Sequence, residues 1–321
     1  MTQAAAPRPD TNTRQHWAAQ RERGSQAMMR LTAWLIQHLG RQIARPIVWV
    51  TVLYFYLTGR LARQGIDAYQ RRLVQTFPQV SLPARAPVYR QFLAFADAML
   101  DKLDAWRGRI RATDIDLHDP DGLHAQMGRG RGQLLVGAHL GNIEICRALA
   151  EKEYKLPLNV LVHSKHAQAF QQLLGDAGAS SLRLIQVSEL DVAAMMALAQ
   201  ALERGEWIVI AGDRIPLSGD RHVAVTFLGA RALLPQGPWL LAGLLGCPVN
   251  LLTCVRRGDR HRIELTRLAG RVEWTRTTRE QEVAQWAQCY ADHLAQACAQ
   301  APLQWFNFFP FWSDDAQPRH S

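Results

Sequence analysis

Cysteine is scarce in this chain of 321 residues, occurring five times at positions 146, 247, 254, 289 and 298. The number is odd, the positions are scattered through mostly apolar stretches, and none stands at metal-ligand spacing with a histidine cluster. A disulfide framework and a zinc site are thereby excluded, and buried reduced thiols are expected. Long apolar runs are lacking as well. The stretch Pro46 to Gly59 carries no charge but is fourteen residues long, short of the ~20 a helix needs to span a bilayer comfortably. The first dozen residues, Met1 to Asn12, are polar with Pro7 and Pro9. They lack the basic start and apolar core of a secretory signal, so the body of the chain is expected in the cytoplasm. No internal repeat or low-complexity segment occurs. With 48% hydrophobic and 20% charged residues, wholesale disorder is excluded and a large core is affordable.

Acidic residues are few in one region. Residues 1 to 73 hold eleven arginines against Asp10, Glu22 and Asp67, so eight of the nine net positive charges lie there. A pI near 9.7 raises nucleic acid as a partner, but these arginines flank apolar, aromatic runs. Between Arg45 and Arg60 come Trp49, Tyr54, Phe55 and Tyr56, and an earlier run, Met28 to Leu39, includes Arg30 and Trp34. Such segments suit helices lying in an anionic membrane surface, with aromatic rings at headgroup depth and arginines reaching phosphates. Core helices of a soluble domain are the alternative. Nucleic-acid binding is set aside; it would give DNA affinity that falls steeply with salt.

The rest alternates. Gln133 to Ala138, Leu158 to His163, Leu182 to Val187 and Trp207 to Ala211 read as strands, separated by helices over Asn142 to Lys152, Ala167 to Asp176 and Asp191 to Arg204. Leu233 to Leu245 reads as a helix, and Pro248 to Val255 as a strand pairing with His261 to Leu265. The pattern predicts an α/β fold: a mostly parallel twisted sheet flanked by helices, with an N-terminal helical membrane-associating segment. The expected organisation is a flexible tail over 1–25, a helical basic region over 26–110, an α/β region over 111–312 and a C-terminal tail over 313–321. In such sheets ligands bind beyond the carboxyl ends of strands, where His139, His163 and Asp213-Arg214 fall.

His139-Leu140-Gly141-Asn142-Ile143-Glu144 stands where the first of these strands ends and a helix begins. A histidine and a carboxylate five residues apart can act together in general-base catalysis, the imidazole taking a proton while the carboxylate fixes its tautomer. Asn142 and Glu144 also suit a plain helix start. His163 and Lys165 form a polar cluster able to face a substrate, or an ordinary solvated loop. Asp213 and Arg214 fit a phosphate- or carbonyl-binding arginine held by an aspartate, or a local ion pair. Gly229 and Gly237 allow close backbone approach to a substrate, or simply make turns.

Several blocks in order resemble the lysophospholipid acyltransferase superfamily, in the version carried by bacterial lipid A (lauroyl/myristoyl) acyltransferases. They are His139 to Glu144, which looks like the H-x4-D/E motif, then Gly212-Asp213-Arg214, Thr226-Phe227-Leu228-Gly229, Pro235-Gln236-Gly237-Pro238, Gly246-Cys247-Pro248-Val249, and Pro302 to Phe309. The resemblance covers about residues 15 to 312. It implies an acyltransferase in which His139 and Glu144 form the catalytic dyad, and Asn142, His163, Lys165, Asp213, Arg214, Gly229 and Gly237 serve substrate binding. It further implies acyl-carrier protein or acyl-CoA as donor, a membrane lipid or glycolipid as acceptor at the cytoplasmic face of the inner membrane, and neither metal nor other cofactor. Arg214 stands where the lipid A enzymes commonly have glutamine, and in the ending Gln304 to Phe309 the tryptophan, Trp305, is followed by Phe306 and Asn307 in place of their usual histidine and basic residue. That ending is similar to a branch of predicted acyltransferases encoded beside polyene and fatty-acid synthesis genes, so an aryl-polyene or aminolipid acceptor stays open. A non-catalytic assembly protein that keeps the fold is the remote alternative.

Overall fold

The computed structural model describes residues 46–152, 157–162, 182–187, 190–215 and 221–312. The expected helix over 167–176, the Met28 to Leu39 run and the terminal tails lie outside these residues.

Three helices open the described chain: α1 (46–58), α2 (Arg60–Thr76) and α3 (Pro87–Trp106). The Gly59 break between α1 and α2 puts its Cβ position 2.6 Å from the Phe55 carbonyl oxygen. Pro87 starts α3 at a position where a missing N–H costs nothing. Tyr69 and Leu73 of α2 are fully buried in the cluster that covers one face of the sheet.

That sheet has seven strands in the order β1-β9-β8-β2-β5-β3-β4. They are β1 (Ile115–His118), β2 (Leu134–Gly141), β3 (Leu158–Val162), β4 (Leu182–Gln186), β5 (Trp207–Ala211), β8 (Val249–Arg257) and β9 (Arg260–Ala269). All neighbours run parallel except β8 and β9, so the sheet is mostly parallel, as the alternation of strands and helices requires. The pleat sends Leu134, Val136 and Ala138 to one core cluster and Leu135 to the other. Both faces are therefore covered, which is why these strands read as continuous apolar runs.

Among the crossovers, α5 (Ile143–Lys152) follows β2 and α6 (Val192–Glu203) precedes β5. The short α4 (Leu123–Gln126) precedes β2. Asp191 caps α6, its carboxylate accepting the Ala194 N–H at 2.8 Å.

Two differences from the expected elements have clear causes. Leu233 to Pro235 are strand, not helix. They belong to β7 (Ala230–Pro235), antiparallel to β6 (His222–Phe227), and the helix α7 starts only at Gly237 (Gly237–Leu245). Leu228 and Gly229, both with positive φ, make the two-residue turn that such hairpins favour, and Val223, Val225 and Phe227 alternate toward the core. The second difference is α8 (Arg279–Gln300), which carries few large apolar residues. Its buried positions Val283, Ala287, Tyr290, Ala291, Leu294 and Cys298 nevertheless recur at helical spacing. Of the five cysteines, 247, 254 and 298 are buried, 146 and 289 are half-buried, and all are free.

Among the described residues no helix is long and apolar enough to cross a membrane. On α1, Trp49, Val50, Leu53, Tyr54 and Leu57 are exposed.

Candidate active site

Parallel register builds the site. Gly137 of β2 pairs with Ala211 of β5, and two residues further along each chain His139, near the end of β2, meets Asp213, just past the end of β5. Gly212 makes the approach possible: its N–H bonds the Gly137 carbonyl at 2.9 Å, and a Cβ there would lie 2.6 Å from Val136 Cγ1. His139 Nδ1 stands 2.8 Å from Asp213 Oδ1. The other carboxylate oxygen, Oδ2, accepts the His139 backbone N–H at 2.9 Å, the Trp305 indole N–H at 3.2 Å and the Asn307 amide N–H at 3.3 Å.

Burial alone would raise the Asp213 carboxyl. The His139 ring, its N–H donors and the Arg214 guanidinium outweigh that effect and hold it at about 2. Asp213 is therefore an anion across the working pH range. Its side chain is fully buried, while that of His139 is 37% exposed. The histidine thus turns one nitrogen to a buried carboxylate and keeps the other side of its ring open to an incoming molecule.

Glu144, the carboxylate expected on the ring, is elsewhere. Gly141 takes φ +67° and lies so close to β8 that a Cβ would stand 2.0 Å from the Cys254 carbonyl oxygen. The Asn142 N–H then bonds that same oxygen at 2.7 Å, and α5 starts toward α3. Glu144 consequently meets Arg147 at 2.6 Å and Lys102 of α3 at 3.8 Å. Burial lowers the Lys102 pKa, against the pull of Glu144. The orienting carboxylate comes from a distant strand end, and the five-residue spacing of the hexapeptide is used for a different ion pair.

The other candidates are also placed. Asn142 is buried and its amide donates to the Ala98 carbonyl at 2.7 Å, tying α3 to the start of α5. Arg214 lies close enough to Asp213 for its charge to help hold that carboxyl low, and it also reaches out of its own turn. Its Nε bonds Asn307 Oδ1 and its Nη2 bonds the Phe306 carbonyl, both at 2.7 Å, with the guanidinium over the Phe309 ring. Gly229 is the second residue of the β6–β7 turn, and Gly237 opens α7. His163 and Lys165 lie outside the described residues.

Trp305 and Asn307 are the residues that sequence reasoning did not assign to the site. Trp305 also packs against Tyr69, Phe227 and Phe311. What no spacing revealed is that both side chains end on one carboxylate.

A neutral imidazole with Nδ1–H held by an ionised carboxylate presents Nε2 as a proton acceptor, and the carboxylate stabilises the imidazolium that results. The thiols are poorly suited to nucleophilic work. Burial pushes Cys247 up to about 11 and raises Cys298, while a hydrogen bond with Cys146, together with burial, raises Cys254. The arrangement is one for activating a hydroxyl or amine that itself attacks.

Residues 25–314 match the family described as bacterial lipid A biosynthesis acyltransferase. No curated protein matches the chain.

Proposed function

The chain belongs to the bacterial lipid A biosynthesis acyltransferase family, enzymes of acyl transfer to a lipid acceptor, and we propose that His139 and Asp213 are its catalytic pair. An acyl thioester, carried on acyl-carrier protein or coenzyme A, presents its carbonyl near the carboxyl ends of β2 and β5. The acceptor, a lipid or glycolipid, brings a hydroxyl or amine to His139 Nε2. Nε2 takes the proton as the oxygen or nitrogen attacks the carbonyl, and Asp213 stabilises the imidazolium. The amino end of α5 is suited to the developing oxyanion, because first-turn N–H groups carry the positive end of the helix dipole. Collapse of the tetrahedral intermediate expels the thiolate, which recovers the proton from His139, and the acylated lipid departs.

The 2.8 Å contact between His139 Nδ1 and Asp213 Oδ1 carries this reading. Glu144 takes a supporting role, fixing the α3–α5 contact beside the site through Lys102 and Arg147. The exposed apolar face of α1, with Arg60 following it, supports contact with an anionic bilayer at the cytoplasmic face of the inner membrane.

Mass spectrometry of total membrane lipids from cells expressing wild-type protein or His139→Ala tests the proposal. A species heavier by one acyl group that vanishes in the variant is expected, and its mass identifies acceptor class and chain, aminolipid and aryl-polyene acceptors included. Identical lipid profiles would overturn the lipid acceptor.

A further inference from the structure

We propose that Trp305 and Asn307 are positioning residues: their N–H groups hold Asp213 in the orientation that bonds His139. This rests on the reading of His139 as the general base.

The two side chains arrive on a strap, residues 304–307, laid between the ends of β2 and β8. Gln304 clamps β8 with its side chain, accepting the Arg256 N–H and donating to the Arg256 carbonyl, both at 2.8 Å. Its own carbonyl accepts the Gly141 N–H at 2.8 Å. Leu140 and Trp305 then form an antiparallel bridge, and the Phe306 N–H bonds the His139 carbonyl at 2.7 Å. Gln91 of α3, itself fully buried, donates to the Trp305 carbonyl at 2.7 Å. The strap is thus fixed to the backbone of β2 from His139 to Gly141.

Neither donor can point elsewhere. The Trp305 ring is 1% exposed and wedged between Tyr69 and Phe227, with centroids at 4.9 and 5.3 Å. Asn307 is equally buried, and its Oδ1 is taken by Arg214 Nε at 2.7 Å. A guanidinium only donates, so the amide must turn Nδ2 toward Asp213. With both donors and the His139 N–H on Oδ2, the other oxygen of Asp213 is left for the imidazole.

The charged and titratable groups facing Asp213 are His139 from β2, Arg214 from its own turn, and Tyr290 and Cys298 from α8. The strap contributes neutral donors alone, so a charge placed on it acts on the pair without replacing another. Donors on Oδ2 spread the carboxylate's charge and weaken its hold on an imidazolium; removing them strengthens it.

Diethylpyrocarbonate, which acylates neutral imidazole, tests this in the full-length protein. Its rate at His139, read by peptide mass spectrometry across pH, gives the midpoint of the ring's titration and needs no acyl donor or acceptor. Asn307→Asp keeps the acceptor for Arg214 but sets a negative charge against Asp213, and is expected to raise the midpoint by about one pH unit. Trp305→Phe keeps the ring and loses the donor, with a smaller rise in the same direction. A strap that only stabilises the fold would lower the melting temperature and leave both midpoints at the wild-type value, and that result overturns the proposal. If Asn307→Asp does not fold, Trp305→Phe decides alone. Because the probe bypasses acyl transfer, an unchanged lipid profile in the His139→Ala cells would overturn the proposed function without touching this measurement.

Discussion

Gly137 pairs with Ala211 across β2 and β5, and two residues further along each chain stand His139 and Asp213. Their meeting is a consequence of strand register, which side-chain packing on both faces of the sheet holds firmly. A slip by one residue would send every inward side chain of β5 to the opposite cluster. The site is therefore as rigid as the core that supports it, and substitutions at its members should change chemistry more than fold.

His139→Ala should reduce turnover by about 10²- to 10⁴-fold or more, with melting unchanged. Asp213→Asn should fall nearly as far for a specific reason. Three N–H groups converge on Oδ2, so the amide oxygen must occupy that position and the amide NH2 must face His139. Nδ1 is then forced to accept, the ring proton moves to Nε2, and no base remains. Turnover within a factor of three of wild type would refute the pairing.

Glu144→Ala should behave differently from His139→Ala. It removes the carboxylate that Arg147, whose side chain is 7% exposed, bonds at 2.6 Å, and breaking a buried ion pair by deleting one member costs about 3–5 kcal/mol. A large drop in melting temperature is expected, with residual activity per folded molecule above that of His139→Ala. A stable, inactive Glu144→Ala would instead return Glu144 to the chemistry.

Acid stability should depend on Asp213. Its folded pKa of about 2 lies below the ~3.9 of an unfolded aspartate. The carboxylate therefore contributes stability that is complete above pH ~4 and is lost as pH falls toward 2, amounting to roughly 2 kcal/mol. Denaturant midpoints of wild type should drop more steeply across that window than those of Asp213→Asn. Parallel slopes would mean the carboxyl is not held low.

Gly141→Ala should be far more damaging than Gly246→Ala. Both glycines have positive φ, which costs an alanine about 1 kcal/mol. Only at Gly141 would the new Cβ also strike backbone, 2.0 Å from the Cys254 oxygen, whereas at Gly246 its nearest contacts are Arg271 side-chain atoms, at 3.6 Å and beyond. Comparable melting temperatures for the two variants would contradict the close packing of the catalytic turn on β8.

Much of this architecture was legible because buried parallel strands announce themselves. The apolar runs around Val136, Val160 and Val209 lie within observed strands, and His139 lies near the end of β2, which runs on to Gly141. What a linear reading could not supply was which strands are neighbours. β2 and β5 are separated by some seventy residues, so Glu144, close in sequence, took the place on the ring that Asp213 holds in space. Adjacency placed Arg214 beside Asp213, whose carboxyl its charge helps to hold low, but did not reveal that its guanidinium also bonds Phe306 and Asn307, more than ninety residues on. The β6–β7 hairpin was missed because Leu233 and Leu234 continue an apolar run into α7, and nothing local marks Leu228 as a residue with positive φ.

Membrane docking through α1 gives the last test. Val48 and Val52 are buried, and Tyr56 packs edge-on against Tyr89 and Phe92, which fixes the helix on α3. That fixed orientation leaves Trp49, Leu53 and Leu57 in one outward row with Val50 and Tyr54 beside it, Trp49 being 52% and Leu57 63% exposed. A row of this kind, followed by Arg60 and Arg63, is suited to burial at the headgroup boundary, where each fully buried large apolar side chain contributes about 1.5–3 kcal/mol. Leu53→Asp and Leu57→Asp should each weaken partitioning onto vesicles containing anionic lipid by about tenfold or more without shifting the melting temperature, since neither side chain supports the core. Trp49 fluorescence should move to shorter wavelength when wild-type protein meets such vesicles. Unchanged partitioning in both variants would exclude this face from membrane contact and leave the lipid acceptor to reach His139 by another route.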